Sequence, residues 1–255
     1  WFPIYLVKER GLNIVQAGFA AAAMDGSRTD YAMIATAGAA SFVAMAAWTA
    51  VKSGVPPQRF PVIFMFSVVT VLGVAGLLPV TGGRVRADGQ DLTAARPDRI
   101  RAAGIAAVPE GHQVLTALTV EENLRVAAAL LPARAVVSVL AEVWAVFPEL
   151  AERKRQMAGT MSGGQQQMLA IGHALMCRPR YLLIDEMSLG LAPLIVKRLT
   201  RVVADLAARG IGILLVEQFV EVALQLAAHV VVLRKGTVRL SVPPDVVRAD
   251  HQRLS

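Results

Sequence analysis

Hydrophobic and polar positions divide the 255-residue chain into two regions with different patterns. Residues 31–51 and 60–80 contain no charged side chain, and each stretch is close to the ~20 residues that a membrane-spanning helix needs. From about residue 75 onward, short apolar runs alternate with amphipathic helical patterns. This change predicts a hydrophobic, mainly helical region over residues 1–74 and an α/β domain with a largely parallel sheet over residues 75–255.

Local signals in the second region indicate particular strands and helices. Three short apolar runs with polar boundaries are typical of buried parallel strands: 181–185, 210–217 and 229–236. Thr119 and Glu122 have the spacing of a capping box, which predicts a helix from there to about Leu131. Pro193 suits a first helical turn and Gly210 a C-terminal cap, so another helix is predicted between the first two strands.

The amino-acid composition of the chain indicates which classes of partner to expect. Apolar residues make up 55% of the chain, which indicates contact with lipid or a large buried interface. The net charge is +7, but the basic residues are scattered and no aromatic-plus-basic motif accompanies them, so no nucleic-acid partner is predicted. The single cysteine, Cys177, excludes an internal disulfide, and the histidines lie too far apart to predict a metal site made of protein ligands alone. No signal peptide pattern is present.

The segment "MSGGQ" at residues 161–165 has two interpretations. Ser162 and Gln165 have the spacing of a capping box, which by itself explains a helix start. Gly163 and Gly164 remain unexplained, because glycine weakens a helical turn by about 1 kcal/mol relative to alanine. Glycine here allows backbone N–H groups to approach an anion, and the helix dipole favours phosphate at this end. The segment is therefore a candidate phosphate contact.

Acidic and amide side chains follow two of the predicted strands. Asp185 and Glu186 end the apolar run "YLLIDE", and Gln218 follows the run 210–217. Solvated acids at a strand end and a surface amide are the ordinary interpretation. In phosphoryl chemistry, the first carboxylate can hold Mg²⁺ and the second can orient or deprotonate an attacking water.

The order and spacing of four segments, "MSGGQQQ", "RPRYLLIDE", "SLGLAP" and "LLVEQ", strongly resemble the ATP-binding subunits of ABC transporters. They correspond to the signature motif, Walker B, D-loop and switch position of that family. Upstream, "AAVPEG" at 106–111 resembles the family's Q-loop, and residues 76–92 resemble the segment that follows its P-loop helix. The resemblance implies an incomplete ABC-type P-loop NTPase domain over about residues 75–255, with a parallel-sheet core and a helical signature region.

Departures from the common pattern resemble the ATPase subunits of branched-chain amino-acid importers. Glu110 stands where most members have Gln, Ala192 and Pro193 replace the usual D-loop acid region, and Gln218 replaces the switch His. The resemblance implies a role for each site residue: Asp185 for Mg²⁺, Glu186 for the water, Gln218 and Glu110 for the surroundings of the γ-phosphate and metal, and Ser162, Gly163, Gly164 and Gln165 for the ATP of a partner subunit.

The phosphate-binding loop of the family, G-x-x-x-x-G-K-[ST], does not occur in the sequence, because no lysine follows a glycine. Where the resemblance requires this loop, the chain reads "FPVIFMFSVVTVLGV". We therefore expect ATP and Mg²⁺ to be held only with a partner subunit that supplies a P-loop, and hydrolysis by this chain alone to be defective. The resemblance implies a second ABC ATPase subunit and transporter membrane subunits as partners, at the cytoplasmic face of the membrane.

The N-terminal region leaves several hypotheses open. Residues 1–22 resemble a segment of major facilitator transporters of the organic-anion type. Residues 31–80 either anchor the ATPase domain in the lipid bilayer, or belong to a non-enzymatic membrane-anchored fusion with a vestigial docking module, or form a buried helical hairpin in a soluble domain.

Overall fold

The computed structural model describes residues 2–6, 12–13, 73–77, 84–129, 131–234 and 237–249. The charge-free stretch 31–51 and most of 60–80 lie outside the described residues. The hypotheses about membrane anchoring concern these residues and therefore stay predictions. Within the described ranges, no helix combines the length and the hydropathy needed to cross a bilayer.

A six-stranded sheet forms the centre of the described structure. In chain order the strands are β1 (Phe2–Leu6), β2 (Leu12–Asn13), β3 (Arg86–Ala87), β4 (Gln90–Asp91), β5 (Ile105–Val108), β6 (Tyr181–Asp185), β7 (Gly212–Val216), β8 (His229–Arg234) and β9 (Thr237–Val242). The central sheet has the order β5-β6-β7-β1-β8-β9. Strands β5, β6 and β7 are parallel, as predicted for an α/β domain, and β9 pairs antiparallel with β8.

Strand β1 is an extended segment at the start of residues 1–74, the region predicted to be mainly helical. It lies between β7 and β8 and is antiparallel to both, so that Ile4 pairs with Val216 on one side and Val231 on the other. Strands β7 and β8 therefore run parallel to each other, with a gap between them that is wide enough for one strand. The backbone N–H and C=O groups that face this gap need hydrogen-bond partners. The N-terminal segment supplies these partners, and its aromatic and β-branched residues favour extended structure.

A small three-stranded sheet, β2-β3-β4, lies beside the central one. Strands β3 and β4 are joined by a tight turn in which Asp88 and Gly89 have φ values of 49° and 79°, the left-handed conformation that two-residue hairpin turns require. The Asp88 carboxylate accepts a hydrogen bond of 2.5 Å from the Tyr181 hydroxyl and forms an ion pair with Arg180. These contacts attach the hairpin to the start of β6.

Two helices begin at the capping boxes that the sequence carries, and four begin with proline. They are α1 (Pro97–Ala102), α2 (Val120–Ala127), α3 (Ala133–Val146), α4 (Pro148–Ala151), α5 (Gly163–Leu175), α6 (Pro193–Ala208), α7 (Val220–Leu226) and α8 (Pro244–Ala249). The capping box of Thr119 and Glu122 is formed. Helix α2 ends before the predicted Leu131, because the N–H groups of Ala129 and Leu131 donate to carbonyls three residues earlier instead of continuing the α-helical pattern. Gly210 has φ 100° just after α6, which confirms the predicted C-terminal cap.

Both faces of the central sheet are buried at strands β6 and β7. Leu182 and Ile184 pack with the helical side, where α2, α3, α5 and α6 form the larger core. Leu183 faces the opposite side together with Leu214, in a smaller core under the β3-β4 hairpin and α1. Burial on both faces explains why these strands read as continuous apolar runs rather than as alternating patterns.

Candidate functional site

Three neighbouring parallel strands end at the same edge of the sheet and carry acidic residues there. Asp185 is the last residue of β6 and pairs with Val216, the last residue of β7. Glu110 comes two residues after the end of β5, the other neighbour of β6. Because ligands of open α/β sheets bind at the carboxyl ends of the strands, this edge is the candidate site.

The acids at this edge are buried and incompletely hydrogen-bonded. Asp185 is 1% exposed and Glu186 is 3% exposed. Within the described structure, three buried oxygens have no hydrogen-bond partner: Oδ1 of Asp185, Oε2 of Glu186 and Oε2 of Glu110. Burying ionised carboxylates without partners is unfavourable, so these oxygens indicate that a cation or hydrogen-bond donor completes the site.

The pKa values of the acids at this edge also indicate that a cation or hydrogen-bond donor completes the site. Burial, together with the negative charges of Glu186 and Asp185, raises the pKa of Glu110 to about 8. Burial, followed by the charges of Glu186 and Glu217, raises the pKa of Asp185 to about 7. Burial also raises the pKa of Glu186. A bound cation would favour the ionised forms and reverse these shifts.

The residues fit Mg²⁺ held jointly with phosphate groups. In the described part of the chain, no three His, Cys, Asp or Glu side chains form a ready-made metal cage. Mg²⁺ is commonly bound through one or two carboxylates, with waters and nucleotide phosphates completing the shell. The unpartnered Oδ1 of Asp185 is suited to this role.

Glu186 and Gln218 are brought together, although they belong to different strand ends. The Gln218 side-chain amide donates a hydrogen bond of 3.3 Å to Oε1 of Glu186. The backbone of Glu186 has φ 47°, a left-handed conformation that is uncommon for residues other than glycine. Its N–H donates to the carbonyl of Val216 at 2.9 Å, which helps to fix this conformation. The carboxylate of Glu186 is therefore oriented by both backbone and side-chain contacts.

The segment 162–165 forms the predicted capping box at the start of α5. The N–H of Gln165 donates to Oγ of Ser162, and the N–H of Ser162 donates to Oε1 of Gln165. Packing explains why residue 164 is a glycine, because a Cβ there would lie 2.8 Å from Cγ2 of Ile195 on α6. Gly163 has more space, and a Cβ there would meet only the His112 ring at 3.4 Å and Leu191 at 3.8 Å. The phosphate role of these residues remains a prediction.

The structure places the start of α5 next to the loops that carry the acidic residues. His112 follows Glu110 in the loop after β5, and its Nδ1 lies 2.6 Å from Oε1 of Gln167 on α5. Leu191, in the turn after Glu186, lies against Gly163. The candidate phosphate contact and the candidate metal site are thus connected through two loops.

Sequence analysis did not identify two pairs of residues that make contacts near the candidate site, His112 with Gln167 and Ser188 with Glu217. His112 and Gln167 are separated by 55 positions, and Glu217 and Ser188 by 29 positions, so no local pattern pairs them. One signal was available for Glu217: it continues the apolar run of β7 into the segment that contains Gln218.

Comparisons with known proteins agree with this geometry. The ABC transporter family profile matches residues 70–188. The high-affinity branched-chain amino acid transport ATP-binding protein BraG of Pseudomonas aeruginosa is 41% identical over 168 residues, covering 66% of this chain and 72% of BraG. The probable branched-chain amino acid transport ATP-binding protein LivF of Archaeoglobus fulgidus is 36% identical over 169 residues, covering 65% of this chain and 70% of LivF.

Solved structures share the fold. A nucleotide-free ATP-binding cassette from an ABC transporter superposes with a TM-score of 0.64 at 22% identity, covering 73% of this chain and 79% of that one. An ATP binding subunit of an ABC transporter gives a TM-score of 0.62 at 27% identity, covering 72% and 76%. The predicted fold class is confirmed. From the sequence relatives and the shared fold, the chain belongs to the family of ABC transporter ATP-binding proteins.

Proposed function

We propose that the chain is the ATP-binding component of an ABC transporter that imports branched-chain amino acids. The similarity to BraG and LivF, both named for branched-chain amino acid transport, supports this substrate class. Glu110, Pro193 and Gln218 support it as well, since they are the sequence variants by which the chain resembles this subfamily. The protein then works at the cytoplasmic face of the membrane with transporter membrane subunits and a second ABC ATPase subunit.

The observation that carries the proposal is the buried acidic edge with its unpartnered oxygens. Asp185 holds Mg²⁺, which supplies charge neutralisation at the phosphates of ATP. Glu186, oriented by Gln218, positions or deprotonates the attacking water. Glu110 and Gln218 face the γ-phosphate and metal surroundings. Each role is carried over from the family to the matching residue of this chain.

We propose that ATP hydrolysis at the chain's own nucleotide site is defective. The sequence contains no P-loop. The sheet supports the proposal: β1 occupies the position between β7 and β8 and runs antiparallel to them. Strand β1 therefore ends, at Leu6, toward the edge of the sheet opposite Asp185.

The start of α5 supports a second contribution, to the site of a partner. The first amides of an α-helix have no intrahelical acceptor and favour an anion. In a sandwich dimer of the family type, Ser162 and the amides of Gly163 and Gly164 close over the γ-phosphate that the partner's P-loop holds. Of the two nucleotide sites of such a dimer, the one built on the partner's P-loop then hydrolyses ATP.

Nucleotide-dependent association tests this function. The full chain is mixed with a companion ABC ATPase subunit that carries its own P-loop, and complex formation is followed by size-exclusion chromatography with MgATP or MgADP. We expect a complex in MgATP that dissociates in MgADP. Absence of a complex in both nucleotides would contradict the proposal. Association that is independent of nucleotide would instead favour a docking module without ATPase function.

A further inference from the structure

Glu217 is a buried carboxylate that the roles above do not use. It follows the last residue of β7 and is 1% exposed. Its Oε1 accepts a hydrogen bond of 3.0 Å from the N–H of Ser188, and its Oε2 accepts one of 2.6 Å from the Ser188 hydroxyl. Ser188 is itself 4% exposed. Because burying a carboxylate is costly, a pairing that satisfies both oxygens indicates a specific role for this glutamate.

The same two segments are joined at further points. The N–H of Glu186 bonds to the carbonyl of Val216, and the amide of Gln218 bonds to the carboxylate of Glu186. Residues 216–218 thus hold residues 186–188 from one side. The left-handed backbone of Glu186 persists only where its surroundings enforce it, and these contacts provide the enforcement.

The turn held in this way rests on the start of α5. Within the turn, the N–H of Leu191 bonds to the carbonyl of Ser188 at 3.3 Å. The Leu191 side chain lies against Gly163, and Ile195, in the first turn of α6, lies against Gly164. A displacement of Ser188 would therefore move the side chains that support the first turn of α5.

We propose that Glu217 is a positioning residue. Its carboxylate fixes Ser188, and through the turn 186–191 it fixes both the carboxylate of Glu186 and the first turn of α5. The consequence for a partner's ATP rests on the function proposed above, whereas the fixation of the turn does not depend on it.

Hydrogen exchange of the full chain tests the fixation directly. The variants are Glu217→Ala, which removes both acceptors, and Glu217→Gln, which keeps one acceptor oxygen. Glu152→Gln is the matched control, because the side chain of Glu152 is 76% exposed. In Glu217→Ala we expect the amides of residues 186–191 and of Gln165 and Gln166 to exchange about tenfold faster. Glu217→Gln should show a smaller increase, and the control none.

Unchanged exchange over residues 186–191 in a folded Glu217→Ala variant would overturn the proposal. If that variant does not fold, Ser188→Ala replaces it, since it removes the hydroxyl donor and leaves the N–H donor in place. It should accelerate exchange in the same segments, and unchanged exchange there would overturn the proposal equally.

A kinetic readout separates positioning from general stability. The chain is titrated into the companion ATPase subunit, and stimulated ATP turnover is measured. We expect Glu217→Ala to lower the maximal stimulated rate about tenfold without changing the half-saturating chain concentration, and Glu217→Gln to restore part of it. Full stimulation by a variant with accelerated exchange would overturn the link to α5. If the unmodified chain does not stimulate, the proposed function fails, and hydrogen exchange alone decides the role of Glu217.

Discussion

The side-chain amide of Gln218 donates a hydrogen bond to the carboxylate of Glu186, although 32 positions separate the two residues. By the resemblance described in the sequence analysis, Gln218 stands where the family usually has a histidine. Histidine titrates near neutral pH, whereas an amide does not. The orientation of the Glu186 carboxylate by this contact is therefore insensitive to protonation of its partner.

We expect the isolated chain to hydrolyse ATP negligibly in the presence of Mg²⁺. Asp185 and Glu186 can act only on phosphates that another group positions, because catalysis of phosphoryl transfer rests on positioning together with electrostatic stabilisation. The measurement is steady-state turnover of the chain and of its Glu186→Gln variant, with equal rates at background level as the expected result. A substantial rate that Glu186→Gln abolishes would show that an unidentified part of the chain holds the phosphates.

Stability should fall as pH rises from about 5 to about 8. Asp185 and Glu110 have folded-state pKa values raised to about 7 and about 8, so the folded protein binds more protons than the unfolded chain in this interval. Stability then decreases with increasing pH. Asp185→Asn removes one of these buried charges and should raise the thermal midpoint at pH 8 by about 5 °C, with little change at pH 5. Measured without nucleotide, equal midpoints at both pH values for the unmodified chain would refute the assignment.

A fragment spanning residues 75–255 should be poorly stable. Without β1, the facing backbone groups of β7 and β8 lose the strand that pairs with both, and open apolar strands promote aggregation. The expected result is aggregation or a broad thermal transition, compared with the full chain under identical conditions. A sharp, cooperative transition of the monomeric fragment would mean that β1 is dispensable for the sheet.

Local patterns in the sequence predicted much of the fold and the candidate site. The capping boxes at Thr119 and Ser162 were predictable because each partner lies three positions away. The strand 181–185 was predictable because both of its faces are buried. The strand-end positions of Asp185, Glu186 and Gln218 were predictable because these residues close or directly follow apolar runs.

Pairings across long sequence separations could not be predicted in the same way. The insertion of β1 depends on a gap between strands more than 200 positions away, as the pairing of Ile4 with Val216 shows. The bonds from Ser188 to Glu217 likewise depend on the turn geometry after β6. Tertiary structure, rather than local preference, decides such contacts.

The start of α5 is proposed to contact the nucleotide of a partner subunit. Gly163 is the position to alter, because a Cβ at Gly164 would clash with Ile195, whereas one at Gly163 would meet flexible side chains at 3.4 Å or more. Gly163→Asp places a negative charge at the helix start, and Gly163→Asn is its neutral control of nearly equal size.

The decisive measurement is ATP turnover by the companion ATPase subunit as the full chain is titrated in. We predict that the unmodified chain stimulates turnover, that Gly163→Asn retains much of the stimulation, and that Gly163→Asp abolishes it because its carboxylate repels the γ-phosphate. Equal stimulation by Gly163→Asp and Gly163→Asn, or no stimulation by the unmodified chain, would contradict the account.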